Sequence, residues 1–298
     1  MGSHLLVGMP RTGRYARVVA LLGDSAGGGG AAGVGPGTLA QVADATLDAA
    51  LAGLALARVD AGLAYCVYLL ARTARAAREP DLLLALADAG LPTPAAISGL
   101  PDIPVLTRAV DLTSFDVTCG YTAAVDRRLR HTGGRTDVSE LAQLGAAESL
   151  SVLARGGELG DAGGQTAMFG LTVEPAVPDA LRAASTPAGF GRLASDFFAR
   201  FVRRFLEYHL SRELSNHVGP GRRFAHADAH DAFLRELGDH CQACASVVRP
   251  FAGQWYAKRD RLGDLTEPRA QGLAARALGL VRAAVAHQEG RDAGDQDL

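Results

Sequence analysis

Apolar residues recur along most of this chain at intervals of three and four, the spacing that lays them along one side of an α-helix. Leu39, Ala43, Leu47, Leu51 and Leu54 make the first stripe, behind Thr38 as an N-cap and with Asp44, Asp48 and Arg58 off it. Leu63, Val67, Leu70 and Ala74 make a second over residues 61–79. Arg72, Arg75 and Arg78 fall in its last turns, where cations suit the helix dipole, and Pro80 stops it. A short helix over 81–89 ends at Gly90, and the proline-rich stretch 91–112 reads as a connection. Val117, Tyr121, Val125 and Leu129 predict a helix capped by Ser114 and closed by Gly133 and Gly134. Asp137 and Glu140 fit a capping box for a helix running to about residue 154.

The C-terminal half carries the strongest pattern. Thr186 and Pro187 supply an N-cap and a first-turn proline. Phe190, Leu193, Phe197, Phe201, Phe205 and Tyr208 then form one aromatic stripe, widened by Phe198, Val202 and Leu206, until residues 219–221 close the helix. A further helix over 228–251 aligns Phe233, Leu237, Cys241, Cys244 and Val248. A last one, capped by Thr266, turns Leu273, Ala277, Leu280 and Ala284 inward. The run 15–22 (YARVVALL) is strand or helix on periodicity alone, and 167–173 (AMFGLTV) is the best strand candidate. The sum is a mainly α protein: a multi-helix bundle of about eight helices, with at most one or two short strands. A boundary between 156 and 187 divides it into an N-terminal helical lobe (1–155) with a Gly-rich loop and a C-terminal long-helix lobe (165–288), followed by a frayed tail (289–298). One continuous domain is the alternative.

Composition adds constraint. Of 298 residues, 48% are hydrophobic and 21% charged, which allows a large core. A net charge of -2 gives no whole-chain pull toward nucleic acid or an anionic membrane. Lys258 is the sole lysine, and the excess of Ala, Gly and Arg fits coding from a GC-rich, bacterial genome, so arginine abundance alone carries little meaning. No basic region followed by a long apolar run opens the chain, and its longest apolar stretch, 61–71, is short of the roughly 20 residues a membrane span needs. Met1 to His4 read as a cloning remnant, with Met9 the natural start. A cytoplasmic, reducing setting with free thiols is expected.

Six groups of residues have chemistry to weigh. Gly28, Gly30 and Gly33 match a dinucleotide-binding spacing, but Pro36 and Gly37 intervene and a helix follows where a parallel strand is required; a loop is expected. His226 and His230, four apart, are placed to share a helix face and offer a metal site with Asp228 or Asp231 as oxygen donor, against the plainer reading of a solvated helix start. Cys241 and Cys244 form a C-x-x-C on an apolar stripe, so core packing is favoured over zinc or redox work. Arg200, Arg203, Arg204, Arg222 and Arg223 are candidate phosphate contacts, diluted by Glu207 and Glu213. His209, Arg212, Glu213 and His217, at i, i+3, i+4 and i+8, form a candidate polar face, and Trp255 with Tyr256 a candidate interface.

With no coherent catalytic set, the expectation leans away from an enzyme and from any cofactor. The leading expectation is a helical protein–protein interaction module, an adaptor or assembly subunit of a larger bacterial system, whose partner is another protein or a second copy. A metal-dependent hydrolase or nuclease built on the cluster near His226 is the alternative, and nucleic-acid binding through the arginines is the third reading.

Overall fold

A computed structural model describes residues 18, 20–21, 41–46, 60–91, 109–132, 135–156, 159, 176–219, 222 and 224–294. The mainly α expectation holds there. Nine α-helices follow one another among the described residues: α1 (Ala61–Ala76), α2 (Leu82–Asp88), α3 (Ser114–Thr132), α4 (Asp137–Ala154), α5 (Val177–Ala184), α6 (Pro187–Leu214), α7 (Ala227–Ala245), α8 (Val248–Leu262) and α9 (Glu267–Gly294). Residues 41–46 are helical too, as are 18 and 20–21 within the ambiguous run 15–22. Among the described residues an isolated bridge between Val218 and Phe224 is the sole β pairing. The strand expected at 167–173, the Gly-rich loop and the tail beyond 294 lie outside the described residues.

The aromatic stripe explains the layout. Phe190, Phe197, Phe198, Phe201 and Phe205 are all buried, so α6 is apolar around much of its girth and takes neighbours on several sides. Helices α4, α7 and α8 pack along it and α5 covers its start, while α1 lies against α4 and α9. The hydrophobic cluster contains α1, α3 and α4 residues together with α6, α7, α8 and α9 residues, and so runs through both halves of the chain. Where α6 and α8 cross, the helices meet through glycine. A Cβ on Gly191 would stand 2.4 Å from the carbonyl oxygen of Arg249, and one on Gly253 2.6 Å from that of Pro187. The Phe190 ring stacks on Tyr256 beside this contact, with centroids 4.5 Å apart.

Several ends differ from the sequence expectation. The helix expected over 228–251 is two helices, α7 and α8, separated at Ser246 and Val247. Pro250 explains the break: it lacks an N–H and is tolerated in the first turn of α8, where that N–H would have no partner. Ser114 is the first residue of α3 rather than its cap. Thr113 accepts from the Asp116 N–H while the Asp116 carboxylate accepts from the Thr113 N–H. The box at α4 likewise belongs to Thr136 and Ser139, one residue before the Asp137 and Glu140 expected, and Glu140 pairs with Arg135 instead. In α9, Val281 and Val285 are buried and Leu280 only half so, because a straight helix drifts off a strict seven-residue repeat. Thr186 caps α6 as expected, accepting from the Gly189 N–H.

Candidate functional site

Three of the five arginines singled out in the sequence are held by carboxylates of this chain. On α6, Arg200 donates to the buried Asp196 at 2.7 Å and meets Glu148 of α4 at 3.2 Å. Arg204 donates through two nitrogens to the same Glu148, and Arg203 donates to Glu207 at 2.7 Å. Arg200 and Arg204 thus tie α6 to α4, Arg203 is paired within α6, and the three do not make an open phosphate patch. Arg222 is exposed; the side chain of Arg223 lies outside the described residues.

The polar face is interrupted. Helix α6 ends at Leu214 and a 3-10 turn, Ser215–His217, follows, so His217 leaves the helical register that would align it with His209. His209 is half-buried against the edge of Phe205, and burial holds its imidazole below the ordinary 6.5, with the Asp137 carboxylate opposing. Tyr208, beside it, donates to Asp137 at 2.8 Å. Side chains of Arg212 and Glu213 lie outside the described residues.

His226 precedes α7 and is exposed, as is Asp228 in its first turn. His230 faces the ring of Phe224, and its Nδ1 sits 3.3 Å from the neighbouring Asp231. No group of three or more His, Cys, Asp or Glu side chains among the described residues converges as a metal site would need. Cys241 and Cys244 are buried in the core, Cys244 Sγ lying 3.7 Å from His240 Nε2, and burial pushes both thiols up, Cys244 to about 11. Trp255 is half-buried and stacks on Phe190, and Tyr256 is fully buried against the same ring. The pair expected at an interface with another molecule thus forms part of the internal α6–α8 contact.

The residues that do meet at an open surface come from α1, α2 and the turn before α9. Pro80 ends the first helix, and Asp81 starts the next by accepting from the Leu84 N–H at 3.1 Å. Leu82, Leu86 and Ala89 fasten α2 to the core. Gly263, with φ of +66°, closes α8 in a left-handed C-cap, and Leu265 turns inward after it. Between these parts lies a groove of about 620 Å³, lined by the arginines of α1, the outer side of α2, Gly263 and Leu265. Its volume falls within the range of ligand clefts.

One wall is basic and one acidic. Arg72 donates to the Tyr68 hydroxyl at 2.9 Å and to the Asp88 carbonyl, with its guanidinium 5.8 Å from the Tyr68 ring centroid. Arg75 is drawn away toward Asp260, 3.4 Å distant, which also receives Arg78. Glu79, Asp81 and Asp88 make no ion pair among the described residues, and Leu84 between them is 60% exposed. The sequence signal for this place was slight, since 72–89 and 263–265 come together only in the fold. No helix among the described residues is long and apolar enough to cross a membrane. Comparison with protein families, curated proteins and solved structures finds no match for the chain.

Proposed function

We propose that the protein works through contact with another protein, as an adaptor or assembly subunit of a larger bacterial system, and that the groove beside α2 is where contact is made. The observation that carries this reading is Leu84. A leucine left 60% exposed at the lip of a 620 Å³ groove, on a helix that buries Leu82 and Leu86 inward, offers apolar surface that a partner would cover. Covering it removes apolar surface from water, the main driving force of protein association. Three of the five arginines proposed for phosphate, Arg200, Arg203 and Arg204, are held by internal carboxylates, which draws support away from the nucleic-acid reading. His226 and Asp228 are exposed, and among the described residues no third ligating side chain joins them, which draws support away from the hydrolase reading.

The test is isolation of the tagged chain from its native cell under gentle conditions, beside a Leu84→Asp variant. A stoichiometric protein partner retained by the parent chain and lost by the variant is the expected result. A chain that stays monomeric at every concentration and retains no partner refutes the proposal.

A further inference from the structure

The outer face of α2 has a definite pattern. Asp81, Leu84 and Asp88 stand at i, i+3 and i+7, all three are exposed, and Ala85 lies beside the leucine. An acid, a leucine and an acid therefore follow one another along a ridge of roughly 10 Å, the length of seven residues at helical rise. Glu79 adds a third carboxylate at the start of the ridge. Of the cations lining the groove, Arg75 shares Asp260 with Arg78, while Arg72 meets a hydroxyl, a carbonyl and an aromatic face but, among the described residues, no carboxylate. The lining therefore sets three carboxylates, without an ion pair among the described residues, against two guanidiniums, a net negative charge at the lip of an apolar contact.

From this we infer that the occupant of the groove is a basic amphipathic segment of a partner protein, carrying two Lys or Arg side chains about two helical turns apart with an apolar side chain between them. This rests on the groove being the contact surface. The apolar side chain covers Leu84 and reaches toward Leu265, and the two cations meet Asp81 and Asp88. The complementarity also selects the partner: an acidic segment would set its carboxylates against all three of the groove's acids.

A displayed library of random peptides, selected on the full chain, tests this directly. The library is counter-selected on an Asp81→Asn, Asp88→Asn variant. Asparagine caps a helix as well as aspartate does, so the start of α2 is kept, and circular dichroism confirms the fold. The expected result is enrichment of peptides with paired basic residues flanking Leu, Ile or Met. Their affinity should fall about tenfold or more in the double variant and fall again as salt is raised. Enrichment of acidic or uncharged peptides, equal affinity for parent and variant, or no enrichment would each overturn the inference. Self-association of the chain abolished by the same two substitutions would overturn it as well, since the occupant is then a second copy. If the native partner is recovered but binds the double variant undiminished, this inference fails alone; if no partner is recovered, the function proposed above fails with it.

Discussion

The α6–α8 crossing allows a test in which one substitution, Gly to Ala, has opposite signs at different places. In a free helix it gains about 1 kcal/mol, because alanine has less backbone freedom to lose. At Gly191 the new methyl meets the Arg249 carbonyl at 2.4 Å, and at Gly253 that of Pro187 at 2.6 Å. Ordinary contact is about 3.5 Å, so the two helices must part locally by about 1 Å. Both obstacles are backbone atoms within helices, which leaves no flexible side chain to move aside. Overpacking of this kind costs about 3 kcal/mol at its upper range, and separation also loosens the Phe190–Tyr256 stack. Subtracting the propensity gain leaves Gly191→Ala less stable by about 2 kcal/mol, a fall of about 3 °C in Tm at this chain length. Gly272 and Gly279 on α9 have nothing within 4 Å of the place an added methyl would take, so Gly272→Ala and Gly279→Ala each gain up to about 1 kcal/mol. Urea and thermal melts followed by circular dichroism read all four variants. A Gly191→Ala protein as stable as the parent, or a sign at Gly272 equal to that at Gly191, refutes the close approach of the helices.

Three further outcomes are expected. Because burial lowers the folded-state pKa of His209 below 6.5, the unfolded chain takes up its proton first as pH falls. The stability of the neutral imidazole is whole above that value and declines below it; the urea midpoint should drop between about pH 7.5 and about pH 5.5, and drop less in His209→Gln, with equal drops speaking against the assignment. Cys66, raised to about 12, and Cys241 and Cys244 are buried, so a thiol reagent at about pH 8 should titrate Cys119 first and the other three only on unfolding; two or more fast thiols would contradict this. Arg78 donates to Asp260 and to the Ser185 carbonyl and lies over the Tyr256 ring, so Arg78→Ala should cost about 2 kcal/mol in urea unfolding, with Arg78→Lys restoring only part because a lysine lacks the fork; full stability of either variant would count against the keystone role.

The helices were legible because burial leaves a periodic trace. The α6 stripe of phenylalanines, the inward face of α1 and the cap at Thr186 all appear where spacing and capping chemistry place them. The errors have physical sources. Thr113 and Ser114, or Thr136 and Asp137, are adjacent residues of similar capping chemistry, and only the backbone angle decides between them. The break between α7 and α8 was signalled by Pro250, but the apolar stripe continues across it through Cys244 and Val248 and hides the joint. Helix α5 begins with Pro178 in its first turn, the same device, in a stretch that reads as a boundary. Candidate sites were less legible still. A run of arginines does not disclose that Glu148, some fifty residues earlier, holds two of them. Tyr256 looks like an anchor in sequence because its partner, Phe190, is distant in the chain. The groove is assembled from 72–89 and 263–265, so no local pattern contains it.

Helix α1 finds one of its main partners in α9, the last helix described, and that pairing sets a timetable for biosynthesis. About 190 residues separate the end of α1 from the start of α9, so at roughly 5–20 residues per second the ribosome needs on the order of ten to forty seconds to deliver the second helix after the first. Throughout that interval the side of α1 that will meet α9 stays wet or leans on temporary neighbours. The nascent chain is therefore a natural client for a holding chaperone, and slowing translation late in the message lengthens its exposure to aggregation.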